Sequence, residues 1–190
     1  MSLVTVPLAE LWLAILLAAV FVFIASSVIH MATKWHQPDH KPMPDEASAL
    51  DALRGMPPGD YVFPGCTSMK EMGTPEMLEK YKQGPVGFIT LLPPGPPAIG
   101  KALIQWFVFS LIVGLFTAYV CSLTLPAGAD SMFVFRVSGT VAFMGNVLAD
   151  MCNSIWKGVS WATTFRFLVD GLVYALCTAG TFAWLWPDLI

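Results

Sequence analysis

The sequence predicts an all-α membrane protein: a bundle of four transmembrane helices with a small α+β cytoplasmic insertion between helices 1 and 2. Two observations carry this expectation. Four long stretches are nearly empty of charge, and one intervening segment is polar and rich in Pro and Gly. Composition agrees, with 56% hydrophobic and 12% charged residues, about half the charged share of a soluble domain.

Leu11 to Ile29 contains no charged residue, and neither does Ala102 to Ala129. The runs Ser131–Cys152 and Thr163–Trp186 carry only a few ionisable side chains. Each is near the ~20 residues a helix needs to cross a hydrocarbon core of ~30 Å. A lipid-exposed segment must satisfy its own backbone, so each run is read as a helix. The spans are placed at 1–30, which includes a short N-terminal tail, and at 100–125, 131–153 and 162–187. The first run is read as a retained anchor rather than a secretory signal. It is longer than the ~7–15 residues of a signal core, no Lys or Arg precedes it, and Ala25-Ser26-Ser27 is a poor cleavage site.

Orientation follows from basic residues near the span ends. Lys34 and Lys41 follow span one, Lys101 opens span two, and Lys157 and Arg166 flank the turn between spans three and four. The N-terminal tail, the Pro126–Asp130 turn and the C-terminal Pro187–Ile190 hold none, and Arg136 is the exception. Both termini are therefore expected outside, with the long loop and the Asn153–Ala162 turn in the cytoplasm.

The extramembrane segment, 31–99, is too small to build a self-sufficient core. One helix is expected from about Asp45 to Arg54, with Gly55 past its end. Another starts with Thr74 as N-cap and Pro75 in its first turn and ends before Gly84. Tyr61–Phe63 and Val86–Leu92 read as short paired strands, and Pro93–Pro97 as a stiff connector into span two. The segment is expected to rest as a cap on the cytoplasmic membrane face.

The intramembrane polar residues are the sharper signal. Span three carries Asn146, Asp150 and Asn153, and span four carries Arg166 and Asp170. Residues four apart share a helix face, so Asn146 pairs in direction with Asp150, and Arg166 with Asp170. At 1.5 Å per residue, Asp150 and Arg166 both fall about 13 Å from the span midpoints, and Asn146 and Asp170 about 7 Å. Buried ionisable groups pair or face water. An Asp150–Arg166 ion pair across the two spans is expected, with Asn146 and Asp170 one turn deeper.

Small residues recur at spacing four: Ser110, Gly114, Ala118 and Ser122 in span two, and Gly171, Ala175, Ala179 and Ala183 in span four. Such stripes let helix backbones approach closely. Trp12, Trp106, Trp184 and Trp186 near span ends fit an aromatic belt. Cys66, Cys121, Cys152 and Cys177 lack ligand spacing and read as small apolar fillers.

No metal and no cofactor is expected. His30, His36 and His40 lie around the end of span one, but Pro38 keeps His36 and His40 off a common helix face. No carboxylate or cysteine sits beside them at a ligand spacing. Met69 and Met72, in a Met-rich loop, offer soft thioether ligands. With the histidines they define the alternative of copper or haem binding. The net charge of −3 and the absence of a basic run exclude nucleic acid as a partner. Nucleotide-binding, hydrolase and zinc-protease motifs are absent, so an enzyme is not expected.

Gly59-Asp60-Tyr61-Val62-Phe63-Pro64, Gly84-Pro85-Val86-Gly87, Ser154-Ile155-Trp156-Lys157-Gly158 and the ending Trp184-Leu185-Trp186-Pro187 give the chain a likeness over nearly its whole length. It resembles a group of small bacterial inner-membrane proteins to which no activity is assigned. The resemblance implies that location and no mechanism. The expected function is that of a non-enzymatic accessory or scaffolding subunit in the bilayer, self-associating or docked on other membrane subunits. A small proton, ion or solute transporter using the polar cluster is the alternative.

Overall fold

The computed structural model describes residues 6–188. The outermost parts of the two tails without Lys or Arg that are used for orientation, 1–5 and 189–190, lie outside the described residues. Along the chain the elements are α1 (Trp12–Ser27), α2 (Glu46–Leu53), β1 (Gly59–Phe63), α3 (Met69–Met72), α4 (Pro75–Gln83), β2 (Gly87–Leu91), α5 (Ile99–Thr124), α6 (Ser131–Lys157) and α7 (Trp161–Trp184). They form two units, one holding the long helices and the other Lys41–Pro97 with Trp156–Gly158.

Four helices are long and apolar enough to cross a membrane: Leu8–Ala32, Ile99–Thr124, Ser131–Lys157 and Trp161–Trp184. The first is α1 extended by a 3-10 turn at Leu8–Leu11 and a π turn at Val28–Ala32. It exposes large apolar side chains, as do the other three. Phe116 (62% exposed), Leu123 and Ile104 on α5 point away from the bundle, as do Leu172 and Trp184 on α7. A contiguous apolar exterior of this kind belongs to a membrane rather than to water. The protein is a multi-pass membrane protein by this criterion.

Local chemistry fixes the helix ends. The Asp130 carboxylate accepts the backbone N–H of Met132 and Phe133 at 3.0 and 3.2 Å, capping α6. Ser160 caps α7 by accepting from Ala162. Between them Gly158 takes φ +70°, a left-handed conformation that glycine adopts without steric cost, so the chain reverses within a few residues.

Inside the bundle α1 lies against both α5 and α7. Ala14, Ala18 and Ala19 of α1 are buried, as are Ser110, Gly114 and Ala118 of α5 and Gly171, Ala175 and Ala179 of α7. The small-residue stripes therefore pack this bundle against itself. A Cβ on Gly114 would lie 3.3 Å from Ile15 Cγ2, and one on Gly139 of α6 would lie 3.1 Å from Ala179 Cβ. Buried hydroxyls close onto their own helices: Thr117 donates to the Val113 carbonyl at 2.9 Å and Thr178 to that of Tyr174 at 3.0 Å. No buried donor is wasted there.

The main apolar core joins the start of α1, the end of α5, the start of α6 and the end of α7, through Leu11, Ala14, Cys121, Leu125, Val134 and Phe182. Trp186 belongs to this core and not to an aromatic belt. It is 8% exposed, and its Nε1 donates to the Pro126 carbonyl at 2.9 Å, while Gly128 N–H donates to Pro187 O at 2.8 Å. The end of α7 is thus tied to the α5–α6 turn. Trp186→Phe should leave the Pro126 carbonyl with the Ala129 N–H, at 3.2 Å, as its remaining donor and lower stability by about 0.5–1.5 kcal/mol, read as an earlier thermal midpoint in detergent.

The second unit is a small α+β assembly. Asp45 caps α2 by accepting from Ser48 N–H, and Thr74 caps α4 by accepting from Met77 N–H. Gly55 and Gly84, both at positive φ, follow these two helices. The strands β1 and β2 pair antiparallel, with Gly59 opposite Leu91, Tyr61 opposite Ile89 and Phe63 opposite Gly87. The short α3, capped by Ser68, has no counterpart in the sequence reading. At four residues it is too short for apolar periodicity to register. Met77 is the one buried side chain of Lys41–Pro97, which agrees with a segment too small for a core of its own.

Candidate functional site

The site lies at the end of the helical bundle opposite the main core, where α1 ends and α7 begins. Three local features build it. The π turn carries His30 to the last turn of the first span. Thr33 then turns extended, φ −108° and ψ 162°, with its hydroxyl donating back to the Ile29 carbonyl. A 3-10 turn at Gln37–Asp39, with Pro38 in its first residues, follows directly. That turn sets His36 and Asp39 three residues apart on one side, and both reach α7.

His36 stands between two carboxylates. Its Nδ1 is 2.6 Å from Asp39 Oδ2 and its Nε2 is 2.6 Å from Asp170 Oδ2. Each ring nitrogen thus faces a carboxylate oxygen at hydrogen-bond distance, and an ionised carboxylate can only accept. Arg166 closes the chain of contacts: its Nε donates to Asp39 Oδ1 at 2.6 Å, its Nη2 pairs with the same oxygen, and Nη2 also reaches Thr163 Oγ1 at 3.5 Å. Two carboxylates are thereby matched by one imidazole and one guanidinium. The side chains of Asp39 and Asp170 are only 2% and 3% exposed, a degree of burial that an unpaired carboxylate would not tolerate. Burial by itself would raise the pKa of Asp39, but hydrogen bonds from Arg166, His36 and Thr163 outweigh it and hold the carboxyl below the ordinary value.

His30 completes the group. Its ring stacks on that of His36, with centroids 4.3 Å apart. Its Nε2 lies 3.8 Å from Asp170 Oδ2 and 3.4 Å from the Tyr174 hydroxyl. Phe167 packs against the His36 ring at 5.0 Å. The His30 side chain is 41% exposed against 15% for His36, so one imidazole is held and the other has room to turn.

A cavity of about 520 Å³ opens beside this group, lined by parts of all four long helices. Its walls are largely apolar, with polar groups contributed by His30, Asn146, Asp150, Asp170 and Tyr174. Trp106, which donates to Ser26 Oγ at 2.8 Å, forms part of the wall. Asn146 donates to the Ala142 carbonyl at 2.8 Å, but its Oδ1 is buried without a partner.

The structure thus divides the polar cluster that the sequence singles out. Asn146, Asp150 and Asp170 line one cavity. Arg166 faces Asp39 instead of Asp150, so the expected Asp150–Arg166 pair is not formed, and Asp150 has no ion pair among the described residues. The reason is the return of the chain after span one, which sets the buried Asp39 carboxylate against the guanidinium. Asn153 stands apart from the cavity and accepts the Val159 N–H through its backbone carbonyl.

The histidine expectation is corrected in a similar way. Carboxylates do stand beside His30 and His36, one three residues along the chain and one on α7. The donor atoms of His30, His36 and Asp170 all lie within 4.8 Å of one another. His40 is exposed and outside the group. Met69 and Met72, exposed on α3 of the second unit, are outside it as well. Asp39 and Tyr174 are the participants that sequence reasoning missed. The His-x-x-Asp spacing across Pro38 was a readable signal for the first, and the four-residue step from Asp170 to Tyr174 on one helix face was a signal for the second. No protein-family model, curated protein or solved structure matches the chain.

Proposed function

We propose that this protein is a non-enzymatic cation- or proton-handling protein of the bacterial inner membrane, with both termini outside, and that the His30–His36–Asp39–Arg166–Asp170 centre is its working site. One observation carries the reading. Asp170, a carboxylate inside a candidate span, is 2% exposed and belongs to an unbroken carboxylate–imidazole–carboxylate–guanidinium chain beside a cavity. Ionisable residues within spans are costly, and by default they mark ion pathways or relays. The accessory or scaffolding reading expected from the sequence rested on the small-residue stripes, the absence of catalytic motifs and the small cap; the stripes are buried within the chain's own bundle and so lend it less support.

Flux into liposomes tests the proposal. Wild-type protein under an imposed proton or cation gradient is expected to conduct, and Asp170→Asn to reduce the rate at least tenfold, equivalent to ~1.4 kcal/mol or more. The thermal midpoint of the variant is measured alongside to exclude a folding defect. An inert wild type under both gradients overturns the reading.

The orientation rests on the Lys/Arg distribution. In a cysteine-free background of intact cells, a cysteine at Lys70 should resist an impermeant thiol reagent and one at Asp188 should react. The reverse pattern would invert the topology.

A further inference from the structure

We propose that the centre binds a divalent late first-row transition-metal cation, Zn²⁺ or Fe²⁺ in type, through the imidazole Nε2 atoms of His30 and His36 and the carboxylate of Asp170. This assignment rests on the reading of the centre as a cation site, and it names the cation. The donor set is the first reason. Two imidazoles and one carboxylate suit zinc and ferrous iron, whereas Mg²⁺ and Ca²⁺ take all-oxygen shells. Three donor side chains within 4.8 Å of one another are a sufficient protein contribution for a site that keeps a position open.

The second reason lies behind the donors. A metal-bound histidine usually gives its other ring N–H to a carboxylate, which fixes the ring and its tautomer. His36 already has this arrangement: Asp39 Oδ2 holds Nδ1 at 2.6 Å, so Nε2 is the nitrogen presented to Asp170. Arg166 in turn fixes Asp39. An ion-pair network built for stability alone has no need of a second histidine stacked at 4.3 Å, with its own Nε2 turned toward the same carboxylate.

Coordination requires one local change. The cation takes the position of the proton shared by His36 Nε2 and Asp170 Oδ2. Stacked rings direct their lone pairs nearly parallel, so His30 must turn to share a cation with His36. Its exposure and its place in the last turn of the span permit that rotation. The cavity adjoins the donors, and the Tyr174 hydroxyl on its wall lies 3.4 Å from His30 Nε2.

Co²⁺ is the probe, titrated into the purified full-length protein in detergent. One equivalent is expected to give saturable visible d–d absorption without a sulfur-to-cobalt charge-transfer band, reversed by EDTA and displaced by Zn²⁺. His36→Ala and Asp170→Asn should each weaken binding about 100-fold or abolish it. His30→Ala should weaken it less and alter the spectrum. Asp39→Asn, at a positioning residue, should cost about 10–100-fold and shift the band, which a purely structural role would not do. If the ligand variants fail to fold, X-ray absorption of the zinc-loaded wild type decides: a shell of nitrogen and oxygen with imidazole scattering supports the site, and a sulfur-containing shell overturns it. No saturable Co²⁺ band in the wild type also overturns it. Proton flux that depends on Asp170 without Co²⁺ binding defeats the metal assignment alone. Co²⁺ binding without flux defeats the transport reading and leaves the metal site standing.

Discussion

Arg166→Ala is expected to lower the stability of the bundle by about 3–5 kcal/mol, the cost of removing one partner from a buried ion pair. The guanidinium gives Asp39 Oδ1 its contacts through Nε and Nη2. Without it, that oxygen stays buried, with the Asp39 side chain 2% exposed. Removing both partners is expected to hurt less than the sum of the single losses, because no charge is then left uncompensated. The interaction energy should fall within about 1–3 kcal/mol. His36 limits the recovery, since Asp39→Ala also frees its Nδ1. Asp150→Ala is the contrast. Asp150 has no ion pair to lose, so its removal should cost no more than about 0.5 kcal/mol. Thermal unfolding in detergent, followed by tryptophan fluorescence, measures all four variants. Additive single losses, or a large effect at Asp150 with none at Asp39, would place the partner of Arg166 elsewhere.

Gly171→Ala is expected to destabilise the bundle by about 1–3 kcal/mol through overpacking. A Cβ at this position would overlap Val147 Cγ2, well inside contact distance. Val147 is 1% exposed, and a β-branched side chain on a helix has one strongly preferred rotamer, so the methyl cannot swing away. The shift must be taken up by α6 and α7 moving apart, one residue from Asp170. Two controls isolate the cause. Gly180→Ala on the same helix meets nothing within 4 Å and should be neutral, or stabilising by up to about 1 kcal/mol through helix propensity. Val147→Ala removes the clashing methyl, so the double variant should lose less than the two single variants added together. Equal losses at Gly171 and Gly180 would instead assign the effect to the helix backbone.

How far the sequence alone reaches can be seen residue by residue. The four long helices are legible because the bilayer imposes a local rule: a run without charge, of sufficient length, must bond its own backbone. The caps at Asp45 and Thr74 and the glycines at 55 and 84 are legible for the same reason, since the side chain and the N–H it satisfies lie within three residues. Helix periodicity also showed that Arg166 and Asp170 share a face of α7. It could not say what that face would meet.

The partner of Arg166 was decided by tertiary structure. Asp39 is 127 residues away along the chain, and matching depths in two adjacent spans favoured Asp150 on arithmetic that ignored the returning segment after span one. His36 and Asp170, 134 residues apart, meet through the same return. Sequence spacing specifies which side chains point together on one helix. Which helix faces adjoin depends on how Ala14, Gly114, Gly171 and Ala179 let the backbones close, and that is a property of the packed bundle as a whole. Membrane insertion is therefore written locally in this chain, while its functional centre exists only once α1, its trailing turn and α7 have come together.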